Sequence, residues 1–193
     1  FFFNDTAPTE TSPFPYPTLF RSRDEVRRHL ARCGIDGVVT AGPDNAPDRV
    51  RYLQSARPQV SIIIPTKDHQ SLLKRCLDSV TGLTPEGGIE ILIVDNGSSQ
   101  PGACEYLGQL QALKLSNLRI LHWSAPFNFA ALCNFAAAQA QGEYLLFLNN
   151  DCEVTESGWL TALTELAQRP EVGITGARMC YPDGRLQHAG FIA

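Results

Sequence analysis

The chain has 193 residues, of which 44% are hydrophobic and 19% charged, the composition of a folded globular protein and not of a disordered or collagen-like one. Its 16 Lys and Arg against 20 Asp and Glu give a formal net charge of −4, which argues against nucleic acid as a partner. The surplus acid is concentrated: residues 1–57 hold 8 basic and 7 acidic side chains and residues 58–193 hold 8 and 13, so an anionic ligand of the larger segment needs a cation to mediate.

Residues 1–22 contain five of the ten Phe and four of the thirteen Pro, with no helical or strand period. They lack the basic start and small-residue end of a signal peptide. The segment resembles translated sequencing-adapter read-through, the alternative being a disordered Pro-rich tail, and it is left out of the expected fold. Val26, Leu30 and Cys33, at i, i+4 and i+7 between Asp24-Glu25 and Gly34, predict a short amphipathic helix. GVVTAG (37–42) predicts a strand, and Pro43, Asp44, Asn45 and Pro47 then break the chain. Residues 23–57 read as a linker or the remnant of an upstream domain.

From residue 58 onward the punctuation is regular. VSIII (60–64) is a β-branched run of the kind buried on both faces of a sheet. Leu72, Leu73, Cys76, Leu77 and Val80 follow at helical spacing. IEILIV (89–94), LRILH (118–122), EYLLFL (143–148) and VGITGA (172–177) read as further strands. Helices are expected around 103–114, over the Ala-rich 128–141 up to Gly142, and from Trp159 to before Pro170. Tyr181-Pro182-Asp183-Gly184 has the residues of a turn opening a hairpin. Strands alternating with helices of this length imply βαβ units, hence an α/β fold with a mostly parallel sheet covered on both faces. Nothing approaches the ~20 consecutive apolar residues of a membrane span. The six cysteines, none closer than 19 residues to the next, form no CxxC pair; reduced thiols, several at core positions, fit better than a disulfide framework or a zinc site.

Ligands of such sheets sit beyond the carboxyl ends of the strands. There the chain places Thr66-Lys67-Asp68 after the first buried strand, Asp95-Asn96-Gly97-Ser98-Ser99 after the second, and Asn149-Asn150-Asp151 after the fourth. Carboxylates gathered at one edge repel and lose hydration unless something positive fills the space. A hard divalent cation carrying a diphosphate answers that need, because Mg²⁺ sites combine one or two carboxylates with substrate phosphates. At an effective dielectric of about 20, a unit charge pair 4 Å apart is worth ~4 kcal/mol, so one placed Asp decides whether a pyrophosphate binds. Each group also has a local reading: Asp68 as the N-cap of the next helix, Asp95-Asn96-Gly97 as a turn, Asn149-Asn150-Asp151 as a cap. Asn134, a polar residue within FAALCNFAAA, needs a partner if it lies in a core, either backbone or ligand. No GxGxxG, GxxxxGK[ST] or GxSxG motif is present, and His29, His69, His122 and His188 show no ligand spacing. A nucleotidyltransferase would want a Gly-rich basic loop where Pro65-Thr66-Lys67-Asp68 stands.

VSIIIPTKD, IEILIVDNGSS, FNFAALCNFAAAQAQGEYLLFLNNDCEV and PEVGITGARMCYPDGRLQHAG, in that order across residues 58–193, resemble the family 2 glycosyltransferases, most of all those building bacterial cell-surface polysaccharides. The resemblance implies a GT-A (Rossmann-like) three-layer α/β/α fold and sugar transfer from a nucleoside-diphosphate donor to a glycan or lipid-linked acceptor hydroxyl. It further implies inversion and Mg²⁺ or Mn²⁺ as cofactor. Thr66 and Asp68 fall where the family contacts the nucleoside, and Asp95 and Asn96 on the acidic pair that reads base and ribose. Asn149-Asn150-Asp151 falls on the DxD motif, with Asp151 as metal ligand and Asn149 as the weaker one. Asn134 and Asn150 complete the expected donor site. Two departures matter: Asn149 replaces an Asp, and Asn96 replaces an acid. The family's general base lies well downstream of DxD, so residues 58–193 are expected to be the N-terminal part of the domain, truncated at the C-terminus and lacking that base. A non-catalytic nucleotide-sugar-binding module is the alternative. The expected location is the cytoplasm or the inner face of the membrane, with any membrane contact made through regions outside this sequence.

Overall fold

The structure is a computed structural model and describes residues 23–42, 48–53, 57–84 and 88–189. The expectations for residues 1–22, for the chain break at 43–47 and for Gly190 lie outside the described residues. Contacts divide the chain into two units, 1–53 and 54–193. In the first, α1 (Arg23–Arg32) precedes a two-stranded antiparallel pair, β1 (Gly37–Thr40) and β2 (Arg49–Tyr52). Acidic Asp24 and Glu25 open the helix and basic Arg32 closes it, each complementing the dipole at its own end. Leu30 is its buried residue.

The second unit is built on four parallel strands in the order β5-β4-β3-β6: β3 (Val60–Thr66), β4 (Ile89–Asp95), β5 (Leu118–His122) and β6 (Tyr144–Phe147). Between them run α2 (Gln70–Leu83), α3 (Pro101–Ala112) and α4 (Phe129–Ala137), and α5 (Trp159–Ala167) follows. Alternate residues of the central strands feed two cores. Val60, Ile62, Ile64, Ile91 and Ile93 pack with Leu73, Cys76, Leu77 and Val80 of α2 and Leu107 of α3. Ile63, Leu92 and Val94 pack with Leu132 and Ala136 of α4 on the opposite face. Because both faces are covered, the runs carry no polar alternation, and the arrangement is a three-layer α/β/α fold. Burying each Ile of such a run is worth about 1.5–3 kcal/mol.

A polar latch holds the amino edge of this sheet. Glu90 Oε2 accepts from the Ser61 hydroxyl (2.6 Å) and the Gln141 N–H (2.9 Å), while Arg119 pairs with Glu90 Oε1 (3.1 Å) and donates to Gln139 O. Gly142 N donates to Ser61 Oγ at 2.8 Å. A Cβ on Gly142 would stand 2.5 Å from Ser61 N and 2.9 Å from Val60 C. Gly142 is therefore a point of close backbone approach and not a helix stop; α4 ends five residues earlier, at Ala137.

Two expectations are corrected. Residues 172–177 form no strand: Ile174 is 93% exposed, and Gly173 and Gly176 deprive the segment of side chains that would hold it in a ladder. Strand β6 is also not buried on both faces, since Leu145 and Phe147 are exposed. It is the sheet's edge, and no described helix packs on that side of it. The 181–184 turn does form, between β7 (Met179–Cys180) and β8 (Leu186–His188), with Gly184 at φ +84° and Tyr181 N donating to Arg185 O (2.8 Å).

Candidate functional site

The chain runs from β3 outward to β4 and β5, then returns to the other side of β3 as β6. That reversal is the topological switch point at which α/β sheets open a crevice. Ladder parity shows how it opens. Gln59 O and Ile63 O accept from β6 and its continuation, and Thr66 O accepts from Asn96 N, so the missing N–H of Pro65 belongs to the β6 side. Proline is tolerated there because β3 and β6 have already parted. One bond crosses the gap: Asn150 Nδ2 donates to Thr66 Oγ1 at 3.0 Å.

Thr66 is the residue paired with Asp95 across β3 and β4, and Asp95 is paired with His122 across β4 and β5. Three strand ends thus stand side by side. Ser98 Oγ donates to Asp95 Oδ1 (2.6 Å) and accepts from Asp68 N (2.8 Å). Asp68 Oδ1 in turn accepts from Ser99 N (2.7 Å) and Gln100 N (2.8 Å). The local reading of Asp68 is corrected accordingly: it does not cap α2, whose first turn follows His69 with no side-chain cap. It fills the N-terminus of α3, which starts with Pro101 at a position needing no N–H. The Gln100 and Ser99 N–H bonds hold its carboxyl below the usual carboxylate range. Asp68 and His69 both have positive φ (54° and 48°), a costly pair for non-glycine residues, of the kind concentrated at functional sites.

The Ser99 and Gln100 amides at the start of α3 are taken up by Asp68 and are not open to another anion. Asn149 and Asp151, just past β6, are both exposed. The Asn149 carbonyl accepts from Cys152 N (3.2 Å) and lies 3.7 Å from the Cys76 thiol, and Asp151 Oδ1 lies 3.9 Å from the Cys152 thiol. A carboxylate and an amide oxygen are hard donors of the type Mg²⁺ and Mn²⁺ accept, short of a full set without substrate oxygens. Among the described residues no group of three His, Cys, Asp or Glu side chains could hold a metal unaided.

Asn96 is only 6% exposed, and its Nδ2 donates to Trp123 O (3.3 Å) and Ala125 O (3.1 Å). Asn134 is exposed on α4 and is not part of a core, so burial does not oblige it to find a partner. His122 is the participant the sequence reading passed over: its Nδ1 stands 3.4 Å from Asp95 Oδ2. Its position at the end of a predicted strand was the available signal. His188 lies on β8 opposite Met179. No helix among the described residues is long and apolar enough to cross a membrane.

Residues 61–189 match the sequence profile described as Glycosyl transferase family 2. The O-antigen biosynthesis protein RfbC of Myxococcus xanthus is 44% identical over 164 residues, 85% of this chain and 12% of its own length. Among solved structures, the mannosyltransferase PcManGT of Pyrobaculum calidifontis, in complex with GDP-Man and Mn²⁺, superposes with a TM-score of 0.56 at 22% identity over 62% of this chain and 35% of its own. GalNAc-T7 with UDP, GalNAc and Mn²⁺ gives 0.56 at 22% identity over 63% of this chain and 23% of its own. The chain therefore spans a minor part of the lengths of these proteins, and the fold they share with it is GT-A. With its sheet order, its crevice and a profile match covering most of the second unit, the chain belongs to glycosyl transferase family 2.

Proposed function

We propose that this chain binds a nucleoside-diphosphate sugar through a divalent cation and forms the donor-binding part of an enzyme that transfers the sugar, with inversion, to an acceptor hydroxyl in bacterial cell-surface polysaccharide synthesis. The observation that carries the reading is the Asn150–Thr66 bond across the switch point, with Asp95 and the Asp68 brace beside it. Thr66, Asp68 and Asp95 face the nucleoside in this reading, with Asn96 behind them. Asn150 and the exposed Asn134 offer further amides. Asp151, assisted by Asn149, holds Mg²⁺ or Mn²⁺ together with the donor's phosphates. When bound, the metal offsets charge on the departing diphosphate as a Lewis acid.

Four of the five acids after Asp151 are paired or buried and are poor candidates for the base that takes the acceptor proton, and the fifth, Glu156, is exposed. Glu153 is paired with Arg75 (3.2 Å), Asp183 with Arg185 (2.7 Å) and Glu171 with Arg169, while Glu165 is buried. We assign the base to a part of the protein outside this chain. The names of PcManGT and RfbC support the metal-dependent donor and the polysaccharide setting. The test is thermal stabilisation by UDP or GDP with and without Mn²⁺. A shift that needs the metal and vanishes in Asp151→Ala is expected; an equal shift without metal overturns the proposal.

A further inference from the structure

Two phenylalanines flank the cap of α4 and neither is buried: Phe127 is 70% exposed and Phe129 is 47% exposed. Both occupy positions where packing ordinarily takes up a ring. Asn128 is the N-cap, its Oδ1 accepting from Ala131 N (3.0 Å), so Phe127 holds the place that staples onto the fourth helical residue. That residue, Leu132, is fully buried, while the Phe127 ring stays largely in solvent. Phe129 precedes Leu132, Cys133 and Ala136, the buried stripe of α4, at helical spacing and shares their sheet-facing side. Leu132 and Ala136 meet Ile63, Leu92 and Val94, but among the described residues Phe129 belongs to neither core. One turn nearer the carboxyl edge, the stripe has run past the strands.

The two rings are displayed on a tethered connection. Trp123 N donates to Asp95 O (2.8 Å) and Trp123 Nε1 to Pro126 O (3.4 Å), and the Trp123 ring is itself taken up by Phe135, with centroids 5.3 Å apart. Since α4 packs over β3 and β4, its start overlooks the ends of those strands, where Thr66 is paired with Asp95. Asn150 bonds Thr66 there and Ser98 bonds Asp95, a row that offers hydrogen-bonding edges and leaves the faces of a planar ligand to other residues. A nucleobase presents both surfaces, a polar rim and two π faces.

We infer that Phe127 and Phe129 form an aromatic platform on which the base of the nucleoside diphosphate stacks. The inference rests on the proposed donor reading and adds to it the residues that hold the base by its face. Stacking is tolerant of which base is present, so the platform strengthens binding of uridine and guanosine diphosphates alike. Were the rings only spare packing surface, leucine would serve equally well; stacking needs the ring.

The test compares wild type with the double variants Phe127→Leu/Phe129→Leu and Phe127→Tyr/Phe129→Tyr, by melting temperature and by titration with UDP, GDP and GDP-Man, each with Mn²⁺. Expected for the Leu variant is an affinity lowered about tenfold for all three ligands at an unchanged melting temperature, and for the Tyr variant wild-type affinity. Undiminished binding of UDP and GDP by the Leu variant overturns the inference, as does an equal loss in the Tyr variant. A loss confined to GDP-Man would put the sugar on the rings and overturns it as well. Should the double Leu variant fail to fold, Phe127→Leu alone is judged by the same outcomes. If the wild type binds neither nucleotide, the donor reading falls and the platform with it; if the wild type binds and the Leu variant binds equally, the platform alone falls.

Discussion

Cys76 shows how burial sets reactivity one side chain at a time. It sits on the buried face of α2, and burial, reinforced by the nearby Cys152, Asp151 and Glu153 charges, pushes its thiol up to about 12. Since the thiolate is the nucleophile, Cys76 should resist iodoacetamide at pH 8 in the native protein while exposed Cys33, Cys104 and Cys180 are alkylated, as mass spectrometry of digests would read. Asp68 gives a second prediction at this scale. Its folded-state carboxyl lies below the ordinary value, held there by the Gln100 and Ser99 N–H groups, so its contribution is complete above the unfolded value of about 3.9 and is lost as pH falls through the lower folded one. Asp68→Asn should therefore melt below wild type at pH 7, with the two melting temperatures converging under acid. These partners lie 31 and 32 residues away in sequence, which is why the local alternative for Asp68 was a cap of α2 and not of α3. The placement of Asn134 was left open for a different reason: in FAALCNFAAA nearly every position is apolar, so helical period cannot say which face is inside.

Among the elements, β3 and β4 were the most legible, because Ile62-Ile63-Ile64 and Ile91-Leu92-Ile93-Val94 leave no polar face to place in water. Strand β6 was harder: Tyr144, Leu146 and Leu148 pack inward while Leu145 and Phe147 do not, and an edge cannot be told from a centre by composition. The close approach at Gly142 was hidden too, since a glycine after an Ala-rich run reads as a stop signal. Gly142→Ala places a methyl carbon against the Ser61 main chain, and forcing β3 and the 139–142 connection apart should cost about 2 kcal/mol. A lower urea midpoint with an unchanged slope would register it.

At the scale of the whole chain, the parallel sheet followed from alternating strand and helix signals, whereas its order β5-β4-β3-β6 and the failure of 172–177 to join it did not. Val172, Ile174 and Ala177, interrupted by Gly173 and Gly176, are compatible with a strand but supply no partner for one. Among the described residues no strand pairs with the outer side of β6, beside exposed Leu145 and Phe147, the combination that invites edge-to-edge association. The isolated chain should self-associate as its concentration rises, and Phe147→Lys should suppress this without lowering the melting temperature. Light scattering and thermal unfolding would measure the two effects separately.

The brace from Asp68 through Ser98 to Asp95 has an evolutionary corollary. Loops that follow two different strands are spliced into one mechanical unit, so a substitution in either is transmitted to the other before any ligand arrives. Laboratory selection for an altered donor should for that reason recover changes near 68 and near 98 together more often than singly, and libraries that randomise only one loop should be dominated by unstable clones.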